Sequence, residues 1–196
     1  MSGAPSPDPV SIRALALVLA LILGQRIPEL LLSARNDRRL KARGAREYGR
    51  GHFPWLVLLH VLFPVGLVAE VLGLGTRPGP LWPLWLGVWL AAQALRLSAI
   101  RALGEYWSVR VWVVPGAPLV RRGPYRRLRH PSYIAVTAEL LAVPLLLGAW
   151  RTAIAVTALN LVVLRARIRA ENAALGEASG RGEGSGLARG DAPQGR

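Results

Sequence analysis

The sequence predicts an all-α integral membrane bundle of about five transmembrane helices, with a loop region at one end and a disordered C-terminal tail. Three observations carry this expectation. Apolar residues make up 52% of the 196-residue chain and fall in runs approaching the roughly 20 residues that cross a bilayer. The formal net charge is +14, and the arginines crowd into alternate connections between those runs. The chain closes on GEASGRGEGSGLARGDAPQGR, rich in Gly, Ser and charge and too poor in apolar residues to build a core, so residues 177–196 read as disordered. A soluble protein this basic would suggest nucleic acid, but its apolar residues would then follow a helix or strand period, so no nucleic-acid partner is expected.

The first span covers about 10–32. Its Ala14 to Gly24 portion follows Arg13 as a signal peptide would, but no small-x-small cleavage site follows and the run continues through Gln25, Arg26, Pro28 and Glu29 into Leu30 to Leu32. The second covers 53–74, the third 81–100, the fourth 132–149 and the fifth 152–164, the last short for a full crossing. Almost nothing joins the fourth to the fifth, which predicts a tight antiparallel hairpin that brings Arg167 back to the end of the bundle carrying His130.

Lysine and arginine accumulate in cytoplasmic loops. Arg35, Arg38, Arg39, Lys41, Arg43, Arg46 and Arg50 lie between the first two spans, and the next connection holds only Arg77. Arg101, Arg110, Arg121, Arg122, Arg126, Arg127 and Arg129 lie between the third and fourth, only Arg151 before the fifth, and Arg165, Arg167 and Arg169 close it. The alternation predicts a multi-pass cell-membrane protein with its N-terminus outside and its C-terminus in the cytoplasm. Trp82, Trp85 and Trp150 then fall at the outer interface and Trp55 at the inner one, where aromatic belts sit.

Ionisable residues within a span are costly and are functional candidates by default. Here they are Arg26, Glu29, His60, Glu70, Arg96 and Glu139. The structural alternative pairs Arg26 with Glu29 at i,i+3 on one helix face and lets Arg96 snorkel to the interface. With no cysteine there is no thiolate nucleophile, and His52, His60 and His130 share no ligand spacing, so no metal site is expected.

The densest cluster is GPYRRLRHPSY, Gly123 to Tyr133. Pro131 suits the first turn of a helix, which places His130 at the N-cap and leaves exposed N–H groups that attract an anion. His130 and Tyr133 then lie at i,i+3, with Arg129 before them. A basic flank that binds anionic headgroups is the simpler alternative. Gly123 and Pro124 instead signal a shaped loop. Upstream, VRVWVVPGAPLV alternates briefly before Pro115 and Gly116 and reads as extended chain with a turn. Arg167 and Glu171 sit at i,i+4 on one face of the last helix.

These residues carry a resemblance. LGEYW, then VPGAPLVRRGPYRRLRHPSY, then RIRAENAALGE, from Leu103 to Gly176, resemble the isoprenylcysteine carboxyl methyltransferase family of integral membrane enzymes, with GPYR, RHPxY and a closing R-x-x-x-E in the family's order. SARNDRRLKARGAREYGRGHFP with Leu59 and His60 resembles a bacterial branch that accompanies type III polyketide synthases and methylates alkylresorcinols or alkylpyrones. The resemblance implies one membrane methyltransferase domain over residues 1–176 and S-adenosyl-L-methionine as cofactor. By matching positions it implies that Ala117, Pro118, Leu119, Val120, Tyr125, His130, Pro131, Ser132, Tyr133 and Glu171 hold that cofactor, with Arg167 facing the methyl acceptor.

The implied partners are membrane lipids and a lipophilic small-molecule acceptor, prenylcysteine-like or an alkylpyrone or alkylresorcinol, with a functional link to a type III polyketide synthase. A carboxylate or acidic enol would arrive ionised and be fixed by Arg167. A phenol would need a base, for which Glu171 and His130 are the candidates. The rival readings are a membrane NADPH-dependent sterol-type reductase, whose family also carries RHPxY-like segments, and a non-catalytic lipid-binding protein.

Overall fold

The computed structural model describes residues 8–117 and 120–187. Each apolar segment becomes a helix. Helix α1 spans Pro9–Ala42, α2 Phe53–Leu74, α3 Trp82–Leu103, α4 Pro131–Leu146 and α5 Trp150–Leu187. Helices α1, α2 and the Trp82–Tyr106 segment are long and apolar enough to cross a membrane by length and composition, whereas α4 is a shorter apolar helix. Helix α5 begins at the apolar segment expected over 152–164 and continues unbroken past it to Leu187, into the stretch expected as a tail; residues 188–196 lie outside the described residues.

Asp8 caps α1 through a hydrogen bond from the Val10 N–H, and Pro9 occupies the first turn, where its missing N–H costs nothing. At 1.5 Å per residue the 34 residues of α1 reach about 50 Å, well beyond the roughly 30 Å of a hydrocarbon core. Its last turns therefore project past the bundle, at the same end as the connections 43–52 and 104–130.

The apolar core runs through Leu15, Val18 and Ile22 of α1, Leu59, Phe63, Leu67 and Val71 of α2, Leu140 and Val143 of α4 and Val156 of α5. Each set recurs at helical spacing on one face, and the opposite faces expose Leu17, Leu21, Leu31, Val57, Val61 and Val65, as lipid-facing helices do. Helices α3 and α4 share the most extensive contact of any two elements among the described residues. Ala92, Ala99 and Ala102 on α3 and Ala135 and Ala142 on α4 are buried, small residues that permit backbones to pack without a hydrophobic driving force between helices.

The α4–α5 hairpin forms as the sequence suggests, turning at Gly148. That residue has φ +75°, and a Cβ there would lie 2.0 Å from the Arg77 carbonyl oxygen, so only glycine fits. Glu70, buried near the C-terminal end of α2, closes the same corner: its carboxylate accepts the backbone N–H of Arg151 at 3.1 Å and of Thr152 at 2.7 Å, and the Thr152 hydroxyl at 2.7 Å. A buried acid of one helix thus caps the positive end of another.

The remaining intramembrane ionisable residues correct the sequence-based alternative. Arg96 does not snorkel. It is buried, and it donates to Glu29 at 3.2 Å and to the Glu139 carboxylate. Arg26 pairs with Glu29 at 2.9 Å, as its spacing suggests, and reaches Glu139 at 3.1 Å as well. Two arginines and two glutamates from α1, α3 and α4 form one neutral quartet, with Gln25 donating to Glu29 at 2.9 Å. His60 lies near the quartet without a hydrogen bond to it, its Nδ1 2.7 Å from the Leu56 carbonyl oxygen of its own helix.

At the end where α1 projects, the strand β1 (Arg46–Tyr48) pairs antiparallel with β2 (Val111–Val113), Glu47 opposite Trp112. The extended reading of VRVWVV is correct for β2, and the turn at Gly116 has φ +74°. The loop then folds against α3: Arg122 donates to the Ala102 carbonyl at 2.7 Å, and Gly123 starts a 3-10 turn packed so tightly on Ala102 that a Cβ would sit 3.0 Å from it.

Candidate active site

A cavity of about 490 Å³ opens between this loop, the ends of α3 and α4 and the middle of α5. His130 is the N-cap of α4 and Pro131 its first residue, so Ser132 and Tyr133 leave the first turn toward the cavity. The His130 and Tyr133 rings stack, centroids 5.1 Å apart and planes 9° from parallel, as their i,i+3 spacing allows. Thr137, one turn on, donates to the Tyr133 carbonyl at 2.9 Å and accepts from the buried Asn160 of α5 at 3.0 Å, which fixes α5 against this turn.

Arg167 and Glu171 therefore arrive from α5 facing Tyr133. They do not form the direct pair that their spacing suggests. The Tyr133 hydroxyl lies between them, donating to Glu171 Oε2 at 2.5 Å and accepting from Arg167 Nε at 2.9 Å. The guanidinium carbon of Arg167 is also 5.3 Å from the Tyr133 ring centroid. His130 Nδ1 is 3.7 Å from the same Glu171 oxygen. Arg167 is buried, while His130 and Glu171 keep side-chain exposures of 22% and 28%, so the acid and the imidazole are reachable from the cavity.

Among the sequence-derived candidates, Ala117, Val120, Tyr125, His130, Ser132, Tyr133, Arg167 and Glu171 line this cavity. Pro131 is fully buried at the helix start and is not part of the lining. Pro118 and Leu119 lie outside the described residues. The Tyr125 hydroxyl lies 3.3 Å from the Ser132 hydroxyl, and burial pushes its phenol up from the usual range, so it stays neutral.

Sequence reasoning missed a further part of the lining, supplied by Tyr106, Trp107, Ser108, Arg110, Trp112 and Val113. Arg110 donates to Glu47 at 2.5 Å and lies 4.2 Å from the Phe53 ring centroid. Burial opposes the Glu47 charge, but hydrogen bonds and charge from Arg110 and Arg50 outweigh it and hold its carboxyl below the usual range. The alternation of β2 was the available signal for this part of the lining, since Val111 and Val113 are buried and Trp112 between them is only half-buried.

The fold and site define a class, a helical membrane protein with a cavity at one end flanked by an arginine, a glutamate and a stacked His–Tyr pair. Residues 85–177 match the isoprenylcysteine carboxyl methyltransferase family. The chain is 39% identical over 163 residues to an uncharacterized protein, YpbQ, of Bacillus subtilis, covering 83% of this chain and 97% of the relative. It is 28% identical to an uncharacterized protein of Haemophilus influenzae, over 81% of this chain and 93% of that one. No solved structure matches it significantly. The chain belongs to the isoprenylcysteine carboxyl methyltransferase family and is by that membership a membrane methyltransferase.

Proposed function

We propose that the protein is an S-adenosyl-L-methionine-dependent O-methyltransferase of the cell membrane, acting on an oxygen of a lipophilic acceptor. The observation that carries this reading is the Arg167–Tyr133–Glu171 chain on the cavity wall, with His130 against the same acid. The residues suit the cofactor. A cavity of about 490 Å³ falls in the range of small-molecule sites, and one end offers cationic donors, a carboxylate and hydroxyls for a charged amino-acid group. When bound, S-adenosyl-L-methionine would supply a methyl group activated by a cationic sulfur for transfer to the acceptor oxygen, with S-adenosylhomocysteine as the leaving product.

The protein's share is placement and exclusion of water. Arg167 spends Nε on Tyr133, which leaves its terminal nitrogens to hold an anionic oxygen of a carboxylate or enol by charge-assisted hydrogen bonds. For a phenol, Glu171 or the neighbouring His130 takes the proton as the oxygen attacks. Exposed apolar faces on α1 and α2 give a lipid environment from which a prenylcysteine-like, alkylpyrone or alkylresorcinol acceptor arrives, the latter two made by a type III polyketide synthase. The arginine alternation supports a cytoplasmic cavity, with the N-terminus outside.

The test is thermal stabilisation of the detergent-solubilised chain by S-adenosylhomocysteine, by NADPH or by neither. At a hundredfold excess over Kd, a bound cofactor product stabilises by about 2.7 kcal/mol. Stabilisation by NADPH alone would replace this reading with that of a reductase, and by neither with that of a lipid-binding protein.

A further inference from the structure

One wall of the cavity is held by a part of the chain outside residues 85–177. The projecting end of α1 presents Ser33, Asn36, Asp37 and Lys41 at helical spacing toward the segment 104–112. Asn36, buried, donates to the carbonyls of Gly104 at 3.0 Å and Trp107 at 2.8 Å. Ser33 accepts the Val109 N–H at 3.1 Å. Asp37 Oδ1 accepts two donors, the Ser108 hydroxyl at 2.6 Å and the Trp112 indole N–H at 3.0 Å. The Lys41 ammonium sits 5.2 Å from the Trp112 ring centroid.

Trp112 is therefore a half-buried aromatic residue lining a cavity, with its polar edge tied down and one face covered by a cation. A half-buried indole N–H commonly takes a partner for packing alone. What marks Trp112 is that the ring so anchored lines a cavity, where a ring locked in one rotamer loses no freedom when a ligand arrives. The lining is chemically uneven in the same sense: Arg167, Glu171 and His130 suit a zwitterion and an anionic acceptor, whereas Trp107 and Trp112 are aromatic and suit a flat π-system.

Resting on the cofactor reading above, we propose that Trp112 is the surface on which the purine ring of the cofactor stacks. Asp37 is its positioning residue, acting through the indole N–H and through Ser108. Helix α1 thereby contributes to the cofactor site without touching the ligand.

The experiment titrates full-length detergent-solubilised protein with S-adenosylhomocysteine, reading heat and tryptophan fluorescence together. The parent chain binds and its fluorescence falls as the purine covers an indole. Trp112→Phe keeps a ring, loses a few-fold in affinity and loses most of the fluorescence change. Trp112→Leu weakens binding about tenfold, within the range found for removing one aromatic–base stack. Asp37→Leu weakens binding by a smaller factor, whereas Asp37→Asn, which still offers an acceptor oxygen, stays within about twofold of the parent; in the Trp112→Leu background, Asp37→Leu adds less than twofold. A full fluorescence change in Trp112→Phe, or parental affinity in Trp112→Leu, overturns the stacking role while the cofactor reading stands. A parent chain that does not bind the probe overturns both.

Discussion

Two clusters in this molecule use the same side-chain chemistry and differ in what surrounds it. The quartet of Arg26, Glu29, Arg96 and Glu139 lies among the helices and is no part of the cavity lining that holds His130 and Glu171; Arg96 and Glu139 have side-chain exposures of 5% and 1%, and only Arg26, at 21%, reaches the surface. Its carboxylate oxygens are engaged, save Glu139 Oε1, by donors from two helices, Gln25 and Arg26 of α1 and Arg96 of α3. The cluster of His130, Tyr133, Arg167 and Glu171 borders an open cavity and keeps spare donor and acceptor capacity. A satisfied, enclosed ionic group fixes how helices sit, and a half-satisfied one beside a cavity is available to a ligand. Position relative to open space, and not residue type, separates the framework from the chemistry.

The largest expected effect comes from breaking the enclosed cluster. Removing one member of a buried ion pair leaves an uncompensated charge and costs about 3–5 kcal/mol. Glu139→Leu and Arg96→Leu should each lose most folded protein in detergent, measured by thermal aggregation or size exclusion. The double variant Arg96→Leu, Glu139→Leu should recover much of the loss, because the Arg26–Glu29 pair remains neutral. Recovered protein should bind S-adenosylhomocysteine as the parent does, since the quartet is no part of the cavity wall. A double variant that folds but fails to bind would join the two clusters functionally and undo the comparison.

The open cluster should respond in the opposite way, losing turnover and keeping its fold. Arg167→Ala should lower methyl transfer to alkylresorcinol, alkylpyrone or prenylcysteine acceptors by about a hundredfold or more, the scale of removing one transition-state donor, with cofactor affinity nearly unchanged. Arg167→Lys should rescue poorly, because an ammonium cannot both donate to Tyr133 and hold an acceptor oxygen in a planar fork. Glu171→Ala should weaken S-adenosylhomocysteine binding, and isothermal titration beside radiolabelled methyl transfer separates the two variants. Unimpaired transfer by Arg167→Ala would move the acceptor site away from α5.

What was legible in the sequence follows the same division. Apolar run length gave the helices, and the near-absence of a linker between α4 and α5 gave the hairpin that brings Arg167 to His130. Helix spacing gave the stacked His130–Tyr133 pair. The quartet was not legible. Arg96 and Glu139 are far apart in sequence, and whether they meet depends on how α3 and α4 are rotated about their axes, which the buried alanines settle only once the helices pack. The Asp37–Trp112 bond was hidden for a related reason: it depends on α1 outrunning the membrane and on the pairing of the extended β2 segment with β1, a three-residue strand too short to show in a pattern. Arg167 and Glu171 looked like a pair because i,i+4 spacing fixes proximity on one helix and says nothing of a hydroxyl inserted from another.

A smaller effect is expected at the far end of the bundle, where Glu70 is a framework acid with a single task. Its carboxylate serves the two free N–H groups at the start of α5, so Glu70→Ala should cost about 1–2 kcal/mol in the manner of a lost N-cap. Glu70→Gln, which keeps one acceptor oxygen, should cost less. Both should lower the melting temperature with methyl transfer per folded molecule unchanged. A selective loss of turnover would make Glu70 more than a cap.

The smallest effect lies between the two regions, at Glu47, whose carboxylate ties β1 to the cavity-lining Arg110. Burial disfavours its charge, yet Arg110 and Arg50 outweigh that and depress its pKa. A carboxyl with a depressed folded-state pKa adds stability that is fully present above its unfolded pKa, about 4.3, and is lost as pH falls through the folded value. Because Arg110 and Arg50 have side-chain exposures of 37% and 76%, solvent screens the pair and the contribution is a fraction of that for a buried one. Parent and Glu47→Gln should therefore differ slightly in melting temperature near pH 7 and converge as the pH is lowered past 4. High salt should narrow the gap at neutral pH. A gap that widens on acidification would mean that Glu47 is held protonated in the folded chain, and that Arg110 is free to meet the ligand instead of the strand.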